Sequence, residues 1–463
     1  MKFGGSSVAN GERIRNVGSI ISDYVGQDYA VVVVVSALAG VTDQLVEASQ
    51  RAKEGDEEYI SEFIQRIIKK HLSADREAIE DPAINKEVGQ TIRELADELE
   101  KVLTGIIYLG ESTPKSKDYI LSFGERFSAL IMCGVLRDLG LNARCYTGKE
   151  VGIVTDSRFG EATPLMEVTK HRVTQEIGSL DNRSVPVVTG YLAANPDGEI
   201  TTLGRGGSDY TATILGVALE VDEIWIWTDV DGLMTCDPKL VPTAKTIAEL
   251  SFQEATEMAV FGAKAMHPQA LQPAMEANIP VRIRNTFHPQ NPGTLIITEK
   301  KIKPGDIVKA ITLVRDVALV NVSGAGMIGA PGTAAKVFQL LAKENINILM
   351  ISQSVSEANI SIIIPRKMLE RAVTKLEIAL LGRGLIQDVK TEDDVSVVAV
   401  VGAGMKGTPG VASRIFTAMA RKGINVRMIA QGSSELNISF IVKDPQGEEA
   451  IRTIHKEFQL NQT

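Results

Sequence analysis

Short apolar runs alternate with amphipathic stretches along roughly the first 300 residues. Runs rich in valine and isoleucine predict β-strands at MKF (1–3), AVVVVV (30–35), VPVVTGYL (185–192), EIWIWT (223–228) and IPVRIRN (279–285). The run from residue 30 is apolar at every position, which is typical of a parallel strand covered on both faces. Strands that alternate with helices predict an α/β fold, an open and mainly parallel sheet between helices.

The stretch at about 50–110 has a different pattern. It is highly charged and poor in β-branched residues, and its apolar positions recur with a helical period, as in ISEFIQRIIKKHL (60–72) and IRELADELEKVLTGI (92–106). It predicts a helical insertion whose charged positions form solvated faces.

An internal repeat follows a charged linker candidate, TEKKIKPGD (298–306). Residues 324–364, the first copy, align without gaps with 402–442, the second copy, and 21 of 41 positions are identical. Each copy begins with a strand and a glycine loop and predicts a βαββαβ module of the ferredoxin-like type. The predicted domains are therefore 1–300, 301–390 and 391–463.

The glycine loop of the second copy, Gly402, Gly404 and Gly407, has the G-x-G-x-x-G spacing of a dinucleotide-binding turn. That fold needs more chain than the roughly 60 residues that follow, and an acidic residue about 20 positions on. The second strand instead reads INVRMIAQ, and INILMISQ in the first copy. The pattern resembles the ACT domain, a small module that binds amino acids, with a ligand-free structural module as the alternative. In that resemblance Pro331 and Pro409 suit the first helical position.

The amino-acid composition limits the classes of binding partner and the cellular compartment that we expect. The net charge of −9 argues against nucleic acid or an anionic membrane as the main partner. The three cysteines are scattered, which indicates a reducing compartment. No leader or span of about 20 apolar residues is evident, so we expect a cytoplasmic protein.

Two glycine-rich loops predict anion binding. In KFGGSSV (2–8), glycine amides can approach a phosphate closely and the serines can cap a helix, although an ordinary capped turn has the same composition. In TTLGRGGSDYTA (201–212), Arg205 at a helix start is suited to clamp a carboxylate in bidentate fashion. No Walker loop occurs in the chain.

Two further stretches are open to more than one interpretation. The aspartates of WTDVDGLMTCDPK (227–239) suit a metal or a set of turns. In FGAKAMHP (261–268), Lys264 is either a second phosphate cation or a solvated lysine, and His267 has no partner in the sequence that would indicate catalysis.

Taken in order, these loops resemble the aspartate kinases of the amino-acid kinase superfamily, as do VSALAGVTD (35–43), SFGER (122–126) and the tandem ACT tail. The resemblance covers nearly the whole chain. It implies that the γ-phosphate of MgATP is transferred to the side-chain carboxylate of L-aspartate, with ATP and Mg2+ required. This is the first step toward lysine, threonine and methionine.

The same resemblance implies roles for individual residues. Lys2, Asp209 and Arg205 are the expected catalytic residues. The expected aspartate-binding residues are Ser36, Thr42, Glu125, Arg205 and Ser208. The expected nucleotide-binding residues are Lys2, Phe3, Gly4, Gly5, Ser6, Thr228, Asp229, Met234, Lys239, Lys264 and Ala265. No metal ligand is expected from the protein.

Two of these positions depart from the family pattern: Met234 stands where tyrosine is frequent, and Lys239 where arginine is frequent. They put adenine stacking and bidentate phosphate contact in doubt. The ACT pair implies feedback by threonine or lysine and a homo-oligomer joined through these domains. The expected effector residues, all in or near the first copy, are Gly332, Ala334, Asn347, Gln353 and Asn359.

Three other functions fit parts of the pattern. One is a kinase for glutamate or acetylglutamate, and another is an amino-acid sensor with an inactive kinase domain. The third is a nicotinamide-dependent dehydrogenase, for which the chain to residue 463 leaves no room. SFGER and the tandem tail favour aspartate, and retention of Lys2, Arg205, Asp209 and Lys264 favours an active kinase.

Overall fold

The computed structural model describes residues 1–181, 183–261, 266–298, 307–329, 331–355, 358–381 and 386–461. The chain divides into two compact units. The first comprises Met1–Leu233, Ala248–Phe252 and Lys264–Glu299; the second comprises Met234–Ile247, Gln253–Ala263 and Lys300–Thr463. The domain limits predicted at 300 and 390 stay a prediction. The predicted linker lies almost wholly outside the described residues.

The first unit is built on an eight-stranded sheet. Its strands are β1 (Lys2–Phe3), β2 (Val33–Val35), β3 (Asn142–Tyr146), β4 (Ser184–Thr189), β7 (Ile224–Thr228), β8 (Glu249–Ser251), β9 (Val281–Asn285) and β10 (Thr294–Ile297); β5 (Leu192–Ala194) and β6 (Ile200–Thr202) form a separate hairpin. The order is β3-β4-β2-β1-β7-β9-β10-β8, and only the β9–β10 pair is antiparallel. The predicted mainly parallel α/β sheet is confirmed.

The helices of this part of the chain are α1 (Gly11–Val25), α2 (Val41–Lys53), α3 (Glu57–Ala78), α4 (Pro82–Leu109), α5 (Pro114–Asp138), α6 (Met166–Ile177), α7 (Gly207–Ala218), α8 (Phe252–Val260) and α9 (Pro268–Glu276). The predicted helical insertion corresponds to α3 and α4. Phe63 and Leu99 are fully buried in the main hydrophobic core, so each helix contributes one apolar face to it.

Helix α5 is long and apolar enough to cross a membrane by length and composition. However, 83% of its most apolar window is buried inside the protein. It is the central core helix of the first unit, and Glu125 lies on its buried side.

The second unit contains a six-stranded antiparallel sheet. Its elements are β11 (Ala310–Ser323), α10 (Thr333–Lys343), β12 (Met350–Gln353), β13 (Asn359–Pro365), α11 (Leu369–Leu376), β14 (Asp388–Val401), α12 (Val411–Arg421), β15 (Met428–Gln431), β16 (Asn437–Lys443) and α13 (Gly447–Glu457). The strand order is β12-β13-β11-β14-β16-β15. Both copies show the predicted ferredoxin-like pattern.

The two central strands are shared between the copies. Residues 317–323 of β11 pair with β13 of the first copy on one side and with the first part of β14 on the other, and residues 310–314 pair with 397–401 of β14. Ile311 accordingly lies in the core of the second copy, and Val389 at the start of β14 packs against the core of the first. The fourth strand of the second copy therefore comes from chain that precedes the first copy.

The glycine loops of the repeat form turns. A Cβ atom on Gly402 would lie 2.4 Å from the Ile307 carbonyl oxygen, so glycine permits a close backbone approach. Gly332 and Gly410 adopt left-handed conformations as the N-caps of α10 and α12. Pro331 and Pro409 precede these caps, so their expected placement at the first helical position is wrong.

Candidate active site

A cavity of about 530 Å3 lies at the carboxyl ends of the parallel strands of the first unit. Ligands of open α/β sheets bind at this edge, because loops from neighbouring strands converge there. Eight of the residues predicted from the sequence line it: Lys2, Gly5, Ser36, Thr42, Glu125, Arg205, Ser208 and Asp209. They come from four separate parts of the chain.

Lys2 and Asp209 form the charged centre of the cavity. The Lys2 Nζ atom lies 2.5 Å from Asp209 Oδ1, and both residues are less than 10% exposed. Lys2 is the first residue of β1, whereas Asp209 lies in the first turn of α7, where a carboxylate is favoured by the helix dipole. The ion pair fixes the direction of the lysine side chain.

Glu125 forms a second buried carboxyl in the same cavity. Its Oε1 accepts a hydrogen bond from the Ala37 amide at 3.2 Å, and its side chain is almost wholly buried. Burial raises the pKa of Glu125 to about 8, although the nearby Lys2 charge and the Ala37 amide act in the opposite direction. The site therefore holds a carboxyl that a cation can bring to its ionised form.

The loop before α7 places a cation and a helix N-terminus side by side. Gly204 and Gly206 have φ values of 73° and 74°, and a Cβ atom on Gly206 would lie 2.4 Å from the His267 Cβ atom. These constraints require glycine. They leave Arg205 exposed at the cavity, beside the N-terminus of α7.

The first glycine loop packs closely against the β2 loop. A Cβ atom on Gly5 would lie 2.9 Å from the Ala37 carbonyl oxygen, so a larger residue would displace the Ser36–Gly40 segment. The Gly4 amide donates to the Trp227 carbonyl oxygen at 3.3 Å, and the Ser7 amide donates to the Gly4 carbonyl oxygen at 2.9 Å. The loop is thus anchored on both sides.

The other predicted nucleotide-binding residues do not line this cavity. The Phe3 side chain is fully buried and stacks on Trp227, so that only its backbone can face a ligand. Gly4, Ser6, Thr228 and Asp229 lie in the adjoining loops of the first unit, and Met234 and Lys239 belong to the second unit. Lys264 and Ala265 lie outside the described residues. Their roles stay predictions.

Sequence reasoning missed Tyr191 in the cavity wall. Tyr191 adopts a φ of 70°, which is uncommon for an aromatic residue, and its amide donates to Thr211 Oγ1 at 2.9 Å. Burial raises its pKa to about 12. The available signal in the sequence was the Gly190-Tyr191 pair, which directly follows β4 and therefore lies at the carboxyl edge of the sheet. Asp43, Gly160 and Glu161 also line the cavity and were not predicted.

Comparison with known proteins agrees with this geometry. The model of the amino acid kinase family matches residues 1–285, and an ACT domain model matches residues 320–380 and 398–458. Aspartokinase 1 of Arabidopsis thaliana, a chloroplastic protein, is 36% identical over 99% of this chain and 79% of its own. Aspartokinase 2 of the same plant is 35% identical over 99% and 84%.

Solved structures of aspartate kinases have a similar fold. Aspartokinase III of E. coli in complex with aspartate and ADP superposes with a TM-score of 0.81 at 29% identity, covering 98% of both chains. The aspartate kinase of Clostridium acetobutylicum gives a TM-score of 0.83 at 26% identity and covers 99% of each chain. The chain therefore belongs to the amino acid kinase family, within its aspartokinase branch that carries two ACT domains.

Proposed function

We propose that this protein transfers the γ-phosphate of ATP to the side-chain carboxylate of L-aspartate, giving 4-phospho-L-aspartate. The observation that carries the proposal is one cavity in which Lys2, Arg205 and Glu125 meet. Two cations suit the phosphate and a carboxylate, and a buried carboxyl suits an ammonium. In biosynthesis the reaction would open the route to lysine, threonine and methionine.

The acceptor needs no general base, since a carboxylate is already ionised at neutral pH. One carboxylate oxygen forms the new bond to the γ-phosphorus, and the bond to the bridging oxygen of ADP breaks. Lys2, together with the Gly5 amide, holds the transferring phosphoryl group, whereas the Gly4 amide already donates to the Trp227 carbonyl oxygen. Asp209 keeps the Lys2 ammonium in place, so catalysis is positioning and charge neutralisation.

Mg2+ bound with ATP would supply further neutralisation of the phosphate charge. The residues fit a polyphosphate, because the first glycine loop and the start of α7 present backbone amides beside Lys2. Among the described residues, no group of three or more His, Cys, Asp or Glu side chains is placed to hold a metal ion. We assign the cation no protein ligand.

Recognition of the amino acid follows from two opposite charges at a fixed separation. Arg205 clamps the α-carboxylate and Glu125 takes the ammonium group, while Ser36, Thr42 and Ser208 add hydrogen bonds. Since burial raises the Glu125 pKa to about 8, the ammonium must favour the ionised form. Below pH 8, aspartate binding should therefore release a proton from Glu125.

The direct test is release of ADP in the presence of MgATP and aspartate, with hydroxylamine trapping of the acyl phosphate. Aspartate should give the hydroxamate; glutamate and acetylglutamate should give little. Lys2→Ala should lower kcat roughly a thousandfold, because it removes the cation that neutralises the transferring phosphoryl group. Among the described residues, no other cation lies within 4 Å of Asp209 to take its place. If the enzyme is active but prefers glutamate, glutamate replaces aspartate as the proposed substrate. If none of these amino acids is turned over, the alternative function of an amino-acid sensor with an inactive kinase domain is favoured.

We further propose that the first copy binds the feedback effector, threonine or lysine. E. coli aspartokinase III has been solved with lysine and aspartate in a T-state, with a TM-score of 0.81 to this chain. The predicted residues Gly332, Ala334, Asn347, Gln353 and Asn359 lie at the start of α10, before and at the end of β12, and at the start of β13. Gln353 and Asn359 lie at the same end of the β12–β13 pair, whereas Asn347 precedes the other end of β12.

A difference between the copies supports this choice. In the second copy, the Ala403 amide donates to Glu254 at 2.8 Å and the Asn437 side chain donates to Glu257 at 2.9 Å. Their repeat equivalents are Ala325 and Asn359. Within the described part of the chain these two contact no carboxylate. The donors that the protein itself occupies in the second copy are thus left for an effector carboxylate in the first.

Self-association through the ACT modules is also a proposal. Strands β12 and β15 are the outer strands of the six-stranded sheet, and their Ile351 and Ile429 side chains are 47% and 45% exposed. Outer strands with exposed apolar side chains favour pairing with another chain. Light scattering of the purified protein would measure it. A cytoplasmic location remains a proposal as well.

A further inference from the structure

Residues 285–291, the last residue of β9 and the loop after it, contact the first glycine loop and the end of β7, where predicted nucleotide-binding residues lie. The Thr286 side chain is fully buried, and its hydroxyl lies 2.7 Å from the equally buried hydroxyl of Ser7 in the first glycine loop. The Thr286 amide donates to the Thr228 carbonyl oxygen at 2.9 Å, at the end of β7. One residue therefore joins two loops that are about 220 positions apart in sequence.

Other contacts fix the same loop in place. Asn16 donates to the Thr286 carbonyl oxygen at 3.3 Å. The Arg13 guanidinium donates to the Ser6 carbonyl oxygen at 2.7 Å and stacks over the Phe287 ring, 5.0 Å from its centroid. The first glycine loop is thus held against residues 285–291 by a hydroxyl pair and by an arginine.

The β7 loop is held from the same side. Asp231 Oδ1 accepts hydrogen bonds from Asn285 at 2.8 Å and Asn291 at 3.1 Å, and lies 3.3 Å from His288 Nδ1. These partners, Asn285 foremost, lower the pKa of Asp231. Three side chains on one carboxylate oxygen resist movement of Asp231 away from the loop.

We propose that Thr286 is a positioning residue for phosphoryl transfer, which sets the distance between the first glycine loop and the end of β7. The inference rests on the proposed function, in which the first glycine loop holds the transferring phosphoryl group, and on the prediction that Thr228 and Asp229 bind the nucleotide. Thr286 itself does not line the substrate cavity. It acts through Ser7, whose amide donates to the Gly4 carbonyl oxygen, on the Gly4–Gly5 backbone, and through its own amide on Thr228.

Thr286→Val tests the proposal, because it keeps the shape of the side chain and removes the hydroxyl. We expect kcat/KM for ATP to fall roughly tenfold, while KM for aspartate changes by less than about twofold. Thr286→Ser should restore most of the loss. The matched control is Thr169→Val, another fully buried threonine of the first unit, whose hydroxyl contacts Val154. It should leave both constants unchanged.

Ser7→Ala removes the same hydrogen bond by deleting its other hydroxyl. It therefore tests the inference even if Thr286→Val does not fold. Its ATP defect should match that of Thr286→Val, and the double variant should be no worse than either single one. Unchanged ATP constants in both single variants would overturn the inference, as would a defect that Thr286→Ser fails to restore. A wild-type protein with no aspartate-dependent turnover would instead refute the proposed function.

Discussion

The two copies of the repeat have half of their aligned residues in common, yet they make different contacts with the rest of the chain. In the second copy, the Ala403 amide donates to the carboxylate of Glu254, and the Asn437 side chain donates to that of Glu257. Its core also includes Ile311, from the part of the chain that precedes the first copy. In the first copy, the equivalent Ala325 and Asn359 contact no carboxylate of the described residues. Duplication of a sequence therefore preserves a fold, while the surrounding chain decides which backbone and side-chain donors of each copy are occupied.

The largest expected effect is on the free energy of unfolding, at a pair of equivalent positions that carry different side chains in the two copies. Ile362 in the first copy corresponds to Phe440 in the second, and both are fully buried. We expect Phe440→Ala to cost about 4 kcal/mol and Ile362→Ala about 3 kcal/mol, because the larger side chain leaves the larger cavity. Urea unfolding, with hydrogen exchange as the readout, measures the loss of unfolding free energy in both variants. Ile378→Ala, at a position 71% exposed, is the control, and equal costs would remove this difference between the copies.

The next prediction tests the shared strand β11. Ile311→Ala should cost about 3 kcal/mol and speed hydrogen exchange in β16 of the second copy more than in β13 of the first. Val322→Ala is the matched control, since Val322 lies on the same strand but in the core of the first copy. It should speed exchange in β13. Faster exchange in β13 for both variants would show that the strand belongs to one copy only.

A smaller effect is expected on regulation. Asn359→Ala should raise the effector concentration for half-inhibition roughly tenfold, because a hydrogen bond to a charged group is lost. Asn437→Ala, at the equivalent position, should leave that concentration unchanged, since Glu257 already occupies this side chain. Steady-state inhibition by threonine and by lysine provides the measurement. Equal shifts in the two variants would assign an effector site to each copy.

The smallest effect is a dependence of stability on pH. His455 lies in the second copy's helix α13, 3.1 Å from Thr235 Oγ1, and burial lowers its pKa; the equivalent position is Glu377. Below pH 6.5 the unfolded chain binds this proton more readily than the folded chain, so stability should fall as the pH falls. The urea midpoint should drop less between pH 7.5 and 5.5 in His455→Gln than in the wild type. An identical drop would contradict the assignment.

Much of the fold could be predicted because local patterns carry it. The strands at MKF, EIWIWT and IPVRIRN correspond to β1, β7 and β9, and the glycine loop at 204–207 leads directly into α7. The apolar run from residue 30 was less accurate: only Val33–Val35 is strand. The following residues leave the sheet to pack against Gly5 and Glu125, contacts that lie far apart in sequence.

The sequence by itself determined the order of the elements, the repeat, the glycine turns and the residue types of the candidate site. These depend on side-chain period and on backbone conformations that glycine permits, which neighbouring residues specify. Only the tertiary structure decided that Lys2 meets Asp209, that β11 serves both copies and that Glu254 and Glu257 cover the second. Such pairings join segments up to about 200 residues apart, and packing of the whole core selects them.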